Sequence, residues 1–246
     1  ARKDYPKTPA SNGPVFSRQS TVQSVKKLLP QQKRTTKRHQ PAVPYLRVPE
    51  VMNIIYPNAI EVSAGRSALA FAILTAARSG EVRKMTWDQI NWEEAFWHIP
   101  AANTKTGEAH TVPISTQALE VLKQRQAVSE CEGGEVFRSR NRGPLSDMTL
   151  TKVLRDNNIE SDVPGRTATA HGFRSSFRDW AAENGYSFAI AEFALAHALK
   201  GNAVRPYYRT RHLNERIGMM QKWGDYVFSA SSLWKSSGSA LKGKTA

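Results

Sequence analysis

From Val43 onward the apolar positions recur at helical spacing, in short segments divided by turn residues. VPEVMNIIY predicts a short helix that begins near Pro49 and is stopped by Pro57. GRSALAFAILTAARSGEVRKMTW opens with a run that is apolar all round, as expected of a buried helix. Ser79-Gly80 predicts a break there, with a second short helix after it. In DQINWEEAFWHIPA the period changes. Phe96, His98 and Pro100 alternate with Trp97 and Ile99, which is strand patterning. NTKTGEAH then reads as a turn and TVPIS as a second strand, so the two predict a small antiparallel hairpin. STQALEVLKQRQAV predicts a helix capped by Ser115 or Thr116, and DMTLTKVLRDNN predicts another after the loop SRNRGPLS. In HGFRSSFRDWAAENG, Phe173, Phe177, Trp180 and Ala181 form one apolar stripe, and Asn184-Gly185 ends it, predicting a helix over 171–184. SFAIAEFALAHAL and a largely helical basic segment, GNAVRPYYRTRHLNERIGMMQKWGDYV, complete the pattern, and SSLWKSSGSALKGKTA reads as a mobile tail. No internal repeat is visible. The expected fold class is mainly α with a small antiparallel β-sheet (α+β).

The first 41 residues break this pattern. They carry ten Lys or Arg against the single acid Asp4, with frequent Pro and Ser. SRQSTVQSVKKLL could form one short helix ended by Pro30, and QQKRTTKRHQPAVP reads as an exposed basic linker. Two readings stay open for it: a flexible tail, or a strap along a nucleic-acid backbone. The sequence therefore divides into a basic linker (1–41), a globular domain (42–226) and a C-terminal tail (227–246). Its abrupt start suggests a fragment of a longer protein.

Composition sharpens the choice of partner. The 246 residues carry a formal net charge of +14, and 40% of them are hydrophobic, enough for a real core. A surplus of that size attracts polyanions, nucleic acid first, with affinity that falls steeply as salt rises. There is no apolar run of ~18 residues, no long basic amphipathic helix and no secretory leader, so neither a membrane span nor a membrane anchor is expected. Cys131 is the only cysteine, which fits a reducing cytoplasm. No pair of histidines has metal-ligand spacing with Cys or acid nearby, and no phosphate loop of the nucleotide-binding kind occurs. No cofactor or metal is expected.

His171 and Arg174, three residues apart at a helix start, are the oddest feature. Cations are disfavoured at that end of a helix, because it already carries partial positive charge. Backbone N–H groups, an imidazole and a guanidinium placed there together suit a phosphate. Other candidates are weak singly. Arg78 ends a buried helix, where capping carbonyls would explain it. Lys105 sits at a hairpin tip, where a solvated charge is the ordinary case. His197 ends an apolar helix, where a packed histidine is common. Tyr207 and Tyr208 lie among arginines, where tyrosine usually packs or hydrogen bonds.

Taken together they say more. AARSGEVRKMTW, TKTGEAHTVPIS, HGFRSSFRDWA, ALAH and GNAVRPYYR, in this order, resemble the tyrosine recombinases of the phage-integrase family, over about residues 42–226. The likeness is greatest to integrases of prophages and genomic islands in enterobacteria. The resemblance implies the recombinase catalytic-domain fold and a metal-free reaction. Tyr208 would attack a DNA phosphodiester, form a 3′-phosphotyrosyl link and release a 5′-hydroxyl. Arg78 and Arg174 would hold the nonbridging oxygens, and Lys105 would protonate the leaving 5′-oxygen. His171 would assist proton transfer at the tyrosine, His197 would donate a hydrogen bond to the phosphate, and Glu81 would orient Arg78. It also implies double-stranded attachment-site DNA as partner, a homotetramer on synapsed DNA that is largely monomeric without DNA, accessory DNA-bending proteins, and a cytoplasmic, nucleoid-associated setting in a bacterium. The tail after the tyrosine, anchored by Leu233 and Trp234, would pack on a neighbouring protomer.

Two departures from the family pattern stand out. Leu-Ala-His (195–197) replaces the usual Leu-Gly-His. The helical core-binding domain that precedes family catalytic domains does not fit within residues 1–41. Related chemistry leaves a type IB topoisomerase-like nicking-closing enzyme open as an alternative, and the net charge alone fits a non-catalytic DNA-binding protein equally well.

Overall fold

The computed structural model describes residues 40–57, 62–129, 133–139, 143–197 and 212–231. Eleven regular elements, apart from short 3-10 turns, are found among them. Helix α1 (Val48–Ile55) has Pro49 in its first turn, where a missing N–H costs nothing, and ends just before Pro57. Helix α2 (Ala64–Thr75) is capped by the Ser63 side chain, which accepts from the Arg66 N–H. It is buried almost all round and forms the centre of the domain, touching α4 (Thr116–Ala127), α5 (Thr149–Asp156), α6 (Phe173–Glu183) and α8 (Leu213–Val227). Between α2 and α4 lie the short helix α3 (Ser79–Arg83) and a sheet, and α7 (Phe188–Ala194) packs on α6 and α8.

The sheet has three antiparallel strands in sequence order: β1 (Ile90–Asn91), β2 (Phe96–Ile99) and β3 (His110–Pro113). The expected hairpin is β2 with β3, with Trp97 opposite Val112. Trp97 and Ile99 face inward, as the alternation predicts. The two residues of β1, paired through Ile90 and Trp97, are too few to show a period and were not expected.

Trp97 packs on Phe71, which also meets Phe137, and together they join the sheet to α2. On the other side, Phe177 and Trp180 of α6 pack on Trp223 of α8, with ring centroids 5.5 and 5.1 Å away. The Trp223 indole donates to the Ile73 carbonyl at 2.8 Å, so its polar atom is satisfied in the core. The core continues past residue 226, where the domain was expected to end: Val227, Phe228 and Ser231 are buried. No helix among the described residues is long and apolar enough to cross a membrane, and no group of three or more His, Cys, Asp or Glu there could hold a metal ion.

Trp223 therefore ties α8 to both α2 and α6. Trp223→Ala should destabilise the domain by about 3–5 kcal/mol in urea unfolding. Trp223→Phe, which keeps most of the packing and loses one hydrogen bond to a carbonyl that the Ala76 N–H also reaches, should cost clearly less.

Candidate active site

The site forms where two helices end. The sequence predicted that the apolar helix would run to Ser79-Gly80. Instead α2 stops at Thr75, Ala76 turns left-handed (φ 50°), and Arg78 is extended. Ser79 and Gly80 lie inside α3. No breaker residue marks this stop. It places Arg78 beside Glu81, whose carboxylate accepts the Arg78 backbone N–H at 2.9 Å and its guanidinium at 2.8 Å. Glu81 is almost fully buried, so this is a rigid clamp on the arginine, as the sequence suggested. The second guanidinium nitrogen donates to the Ala196 carbonyl at 3.2 Å.

Arg174 is deeper, at 5% exposure. One of its nitrogens donates to the Ala76 carbonyl, and the other donates to the Leu195 carbonyl at 2.6 Å and meets His197 Nε2 at 3.0 Å. Burial, then the neighbouring Arg78, lower its pKa to about 10, against the opposing pull of Glu81 and Glu192. It remains charged at neutral pH. The two arginines thus bind carbonyls left over at the ends of α2 and α7, where helix dipoles favour cations. The capping role weighed for Arg78 is real, but the capped helix is α7 rather than its own.

His171 requires a correction. The helix expected over 171–184 begins at Phe173, and His171 belongs to the turn before it. The local N–H groups expected to face a phosphate already have acceptors. Gly172 N–H donates to the Thr169 carbonyl and hydroxyl, both at 3.0 Å, and Arg174 N–H to the His171 carbonyl at 3.2 Å. The turn is held from outside by residues 41–43. Pro41 carbonyl accepts from the Thr169 N–H and hydroxyl, and Ala42 exchanges two hydrogen bonds with Asp162. The Pro41 carbonyl lies so close that a Cβ on Gly172 would sit 2.2 Å from it, so only glycine fits.

His171 is exposed on one side. Partial desolvation, then the charges of Arg174, Arg78, His197 and Lys105, lower its pKa. Arg174, Arg78, His197 and Lys105 thus lie near enough to His171 for their charges to act on it. Lys105 is exposed on the connection between β2 and β3. His197, half-buried, also has a lowered pKa, from desolvation first and then Arg174, opposed by a hydrogen bond to Glu192. Glu192 itself was not anticipated. Its signal was a lone acid in the apolar run SFAIAEFALAH, five residues before His197. Tyr207, Tyr208, Leu233 and Trp234 lie outside the described residues.

Ala196, at the departure from Leu-Gly-His, is left-handed (φ 51°). An L side chain there is strained where glycine would not be. Ala196→Gly should leave stability unchanged or raise it by up to about 1 kcal/mol, because the strain relieved exceeds the unfolded-chain entropy gained. The histidines set a pH dependence. Both folded pKa values lie below the ordinary 6.5, so the unfolded chain takes up these protons first. Stability is then full above pH 6.5 and is lost as pH falls toward the folded values. Urea midpoints between pH 7.5 and 5.5 should show this slope, and a His171→Asn, His197→Gln double variant should flatten it.

Residues 47–213 match the model of the phage integrase family. The chain is 31% identical to prophage integrase IntA of Escherichia coli K12 over 200 residues, which are 80% of this chain and 46% of that protein. It is 33% identical to the integrase of enterobacteria phage P4 over 214 residues, 78% of this chain and 47% of that one. The chain thus spans about half the length of the curated relatives it matches. The fold is similar to XerA recombinase, with a TM-score of 0.52 at 16% identity, covering 80% of this chain and 77% of that one. It is also similar to XerH site-specific recombinase bound to a palindromic difH substrate, with a TM-score of 0.51 at 16% identity over 76% of this chain and 54% of that one. The mainly helical fold, the arginine pair at the ends of α2 and α7 and the match over most of the sequence agree: the chain belongs to the phage integrase family.

Proposed function

We propose that this chain is the catalytic part of a site-specific DNA recombinase, cutting and rejoining double-stranded attachment-site DNA to integrate or excise mobile DNA. The observation that carries the reading is the mutual influence of the charges of Arg78, Lys105, His171, Arg174 and His197, opposed among the described residues by Glu81 and Glu192. Such an excess of fixed positive charge suits a phosphodiester whose transition state gains negative charge.

In this scheme the Tyr208 phenol oxygen attacks phosphorus and the bond to the 5′-oxygen breaks. A phenol is protonated at neutral pH and needs a base. His171, whose pKa is lowered by burial and then by the cations around it, accepts that proton. Lys105 delivers a proton to the leaving 5′-oxygen. Arg78 and Arg174 stabilise the nonbridging oxygens, and His197 donates to one of them. A 5′-hydroxyl from a second strand then attacks the phosphotyrosine, reversing each proton transfer. The bond energy is kept in the phosphotyrosine, so no nucleotide is consumed. The relative XerH, solved with its DNA substrate, supports DNA as the partner. The basic segment 1–41 would follow the DNA backbone. The active assembly would be a tetramer on synapsed DNA, aided by DNA-bending proteins and nucleoid-associated in the cytoplasm, with the free chain largely monomeric.

Covalent trapping tests this. Incubation with nicked half-site DNA of mixed sequence and a detergent quench should leave protein linked to DNA 3′ ends. Tyr208→Phe should abolish the adduct, Tyr207→Phe should keep it, and Arg174→Gln should reduce its rate by about 10²–10³. An adduct lost only in Tyr207→Phe moves the nucleophile by one residue. No adduct, even from a full-length protein on its own attachment DNA, refutes the catalytic reading.

A further inference from the structure

His197 lies between two partners of opposite charge. Its Nε2 is 3.0 Å from an Arg174 nitrogen, and its Nδ1 is 3.0 Å from Glu192 Oε2. Guanidinium has only donors, so Nε2 must accept. The single proton of neutral His197 therefore sits on Nδ1 and is donated to Glu192. Glu192 is itself fixed. Its side chain is 12% exposed, and its other oxygen faces the Arg178 Nε at 3.5 Å. Arg178 in turn lies 4.7 Å from the Phe188 ring centroid, on the helix that carries Glu192.

This arrangement is set the wrong way round for a phosphate donor. An oxygen anion at the site needs N–H on Nε2, yet Nε2 presents a lone pair and occupies an Arg174 nitrogen. One proton resolves both conflicts. Protonated at Nε2, His197 can no longer accept from Arg174, so that guanidinium edge is released while the imidazolium turns donor. The charges facing His197 decide when this happens. Arg174 of α6 and Arg78 at the start of α3 oppose protonation, and the positive charge shared with His171 acts the same way. Glu192 of α7 is the one carboxylate among these groups that favours it.

We propose that Glu192 is a positioning residue that holds His197 as the Nδ1–H tautomer and, when a phosphate-type anion arrives, lets it take a second proton at Nε2, so that His197 and Arg174 are freed toward the anion together. The inference rests on the reading of this site as a phosphate site. Without the anion, the arginine grips protein carbonyls and the histidine, which keeps the buried charge satisfied. With it, a bond from the guanidinium to a neutral imidazole is exchanged for bonds from both side chains to the anion.

The test is nitrogen-15 NMR of the histidine ring in the 246-residue chain, titrated with and without sulfate, an anion that stays fully charged over the range. Wild-type His197 should show its proton on Nδ1 and none on Nε2 above its midpoint. Glu192→Gln keeps an acceptor oxygen and should keep the tautomer, but its midpoint should move to lower pH. Sulfate should raise the wild-type midpoint, and should raise that of Glu192→Gln less. An Nε2–H tautomer in the wild type overturns the proposal, and that measurement needs no variant that could misfold. An unchanged midpoint in folded Glu192→Gln overturns it, as does a wild-type midpoint that sulfate leaves in place. None of these readouts involves Tyr208 or DNA cleavage. A failed covalent trap with these shifts present would refute the recombinase chemistry alone, and a successful trap without them would refute the role of Glu192 alone.

Discussion

The buried guanidinium of Arg174 is the constraint around which the site is organised. A charge with only 5% exposure must find acceptors, and those nearby are the leftover carbonyls at the ends of two helices. The ends of α2 and α7 are thereby drawn to one point, and Ala76 and Ala196 turn left-handed beside it. Arg78 takes the adjacent carbonyl from the opposite side and is clamped by Glu81. One interaction type, arginine with a helix-terminal carbonyl, thus makes a structural joint and places two cations of the candidate site. The guanidinium groups are thus fixed in place by carbonyls of the protein itself.

Burial first, and then the charge balance, lower the pKa values of the two histidines. Arg174 and Arg78 act on both imidazoles and Lys105 on His171, so each gains little from taking a proton in a partly desolvated, positively charged place. The same positive charges that help to depress the histidines favour an anion at the site. Glu192 limits the effect at His197, and among the described residues no comparable carboxylate is seen to act on His171. The two histidines therefore have different neighbours among the described residues.

The junction with the basic segment is part of the same structure. Residues 41–43 hydrogen bond to Thr169, Asp162 and Ser176, on and around the turn that carries His171. The close approach of the Pro41 carbonyl is possible because residue 172 has no side chain. The chain thus enters its globular part directly against a catalytic candidate, and the position of His171 depends on packing from outside its own turn.

Much was legible in the sequence, because periodicity records burial. The apolar character of α2 marked a central helix, the alternation through Trp97 and Ile99 marked a strand, and the stripe through Phe177 and Trp180 marked α6. The order of the short motifs, more than any single residue, identified the family, and it drew Arg78, Lys105, His171, Arg174 and His197 into one list before any distance was known. Long-range contacts set what the sequence did not show. Nothing in Ala76-Ala77-Arg78 signals a helix stop. α2 ends there because Arg174, 98 residues further on, holds the Ala76 carbonyl. β1 exists only because Ile90 finds Trp97, and α6 starts two residues late because Thr169 and Pro41 claim the turn before it. The partner of His197 could not be read from spacing either. Five residues bring a carboxylate near a helix-ending imidazole, but only the folded chain sets Arg174 on the opposite nitrogen and so decides which one carries the proton.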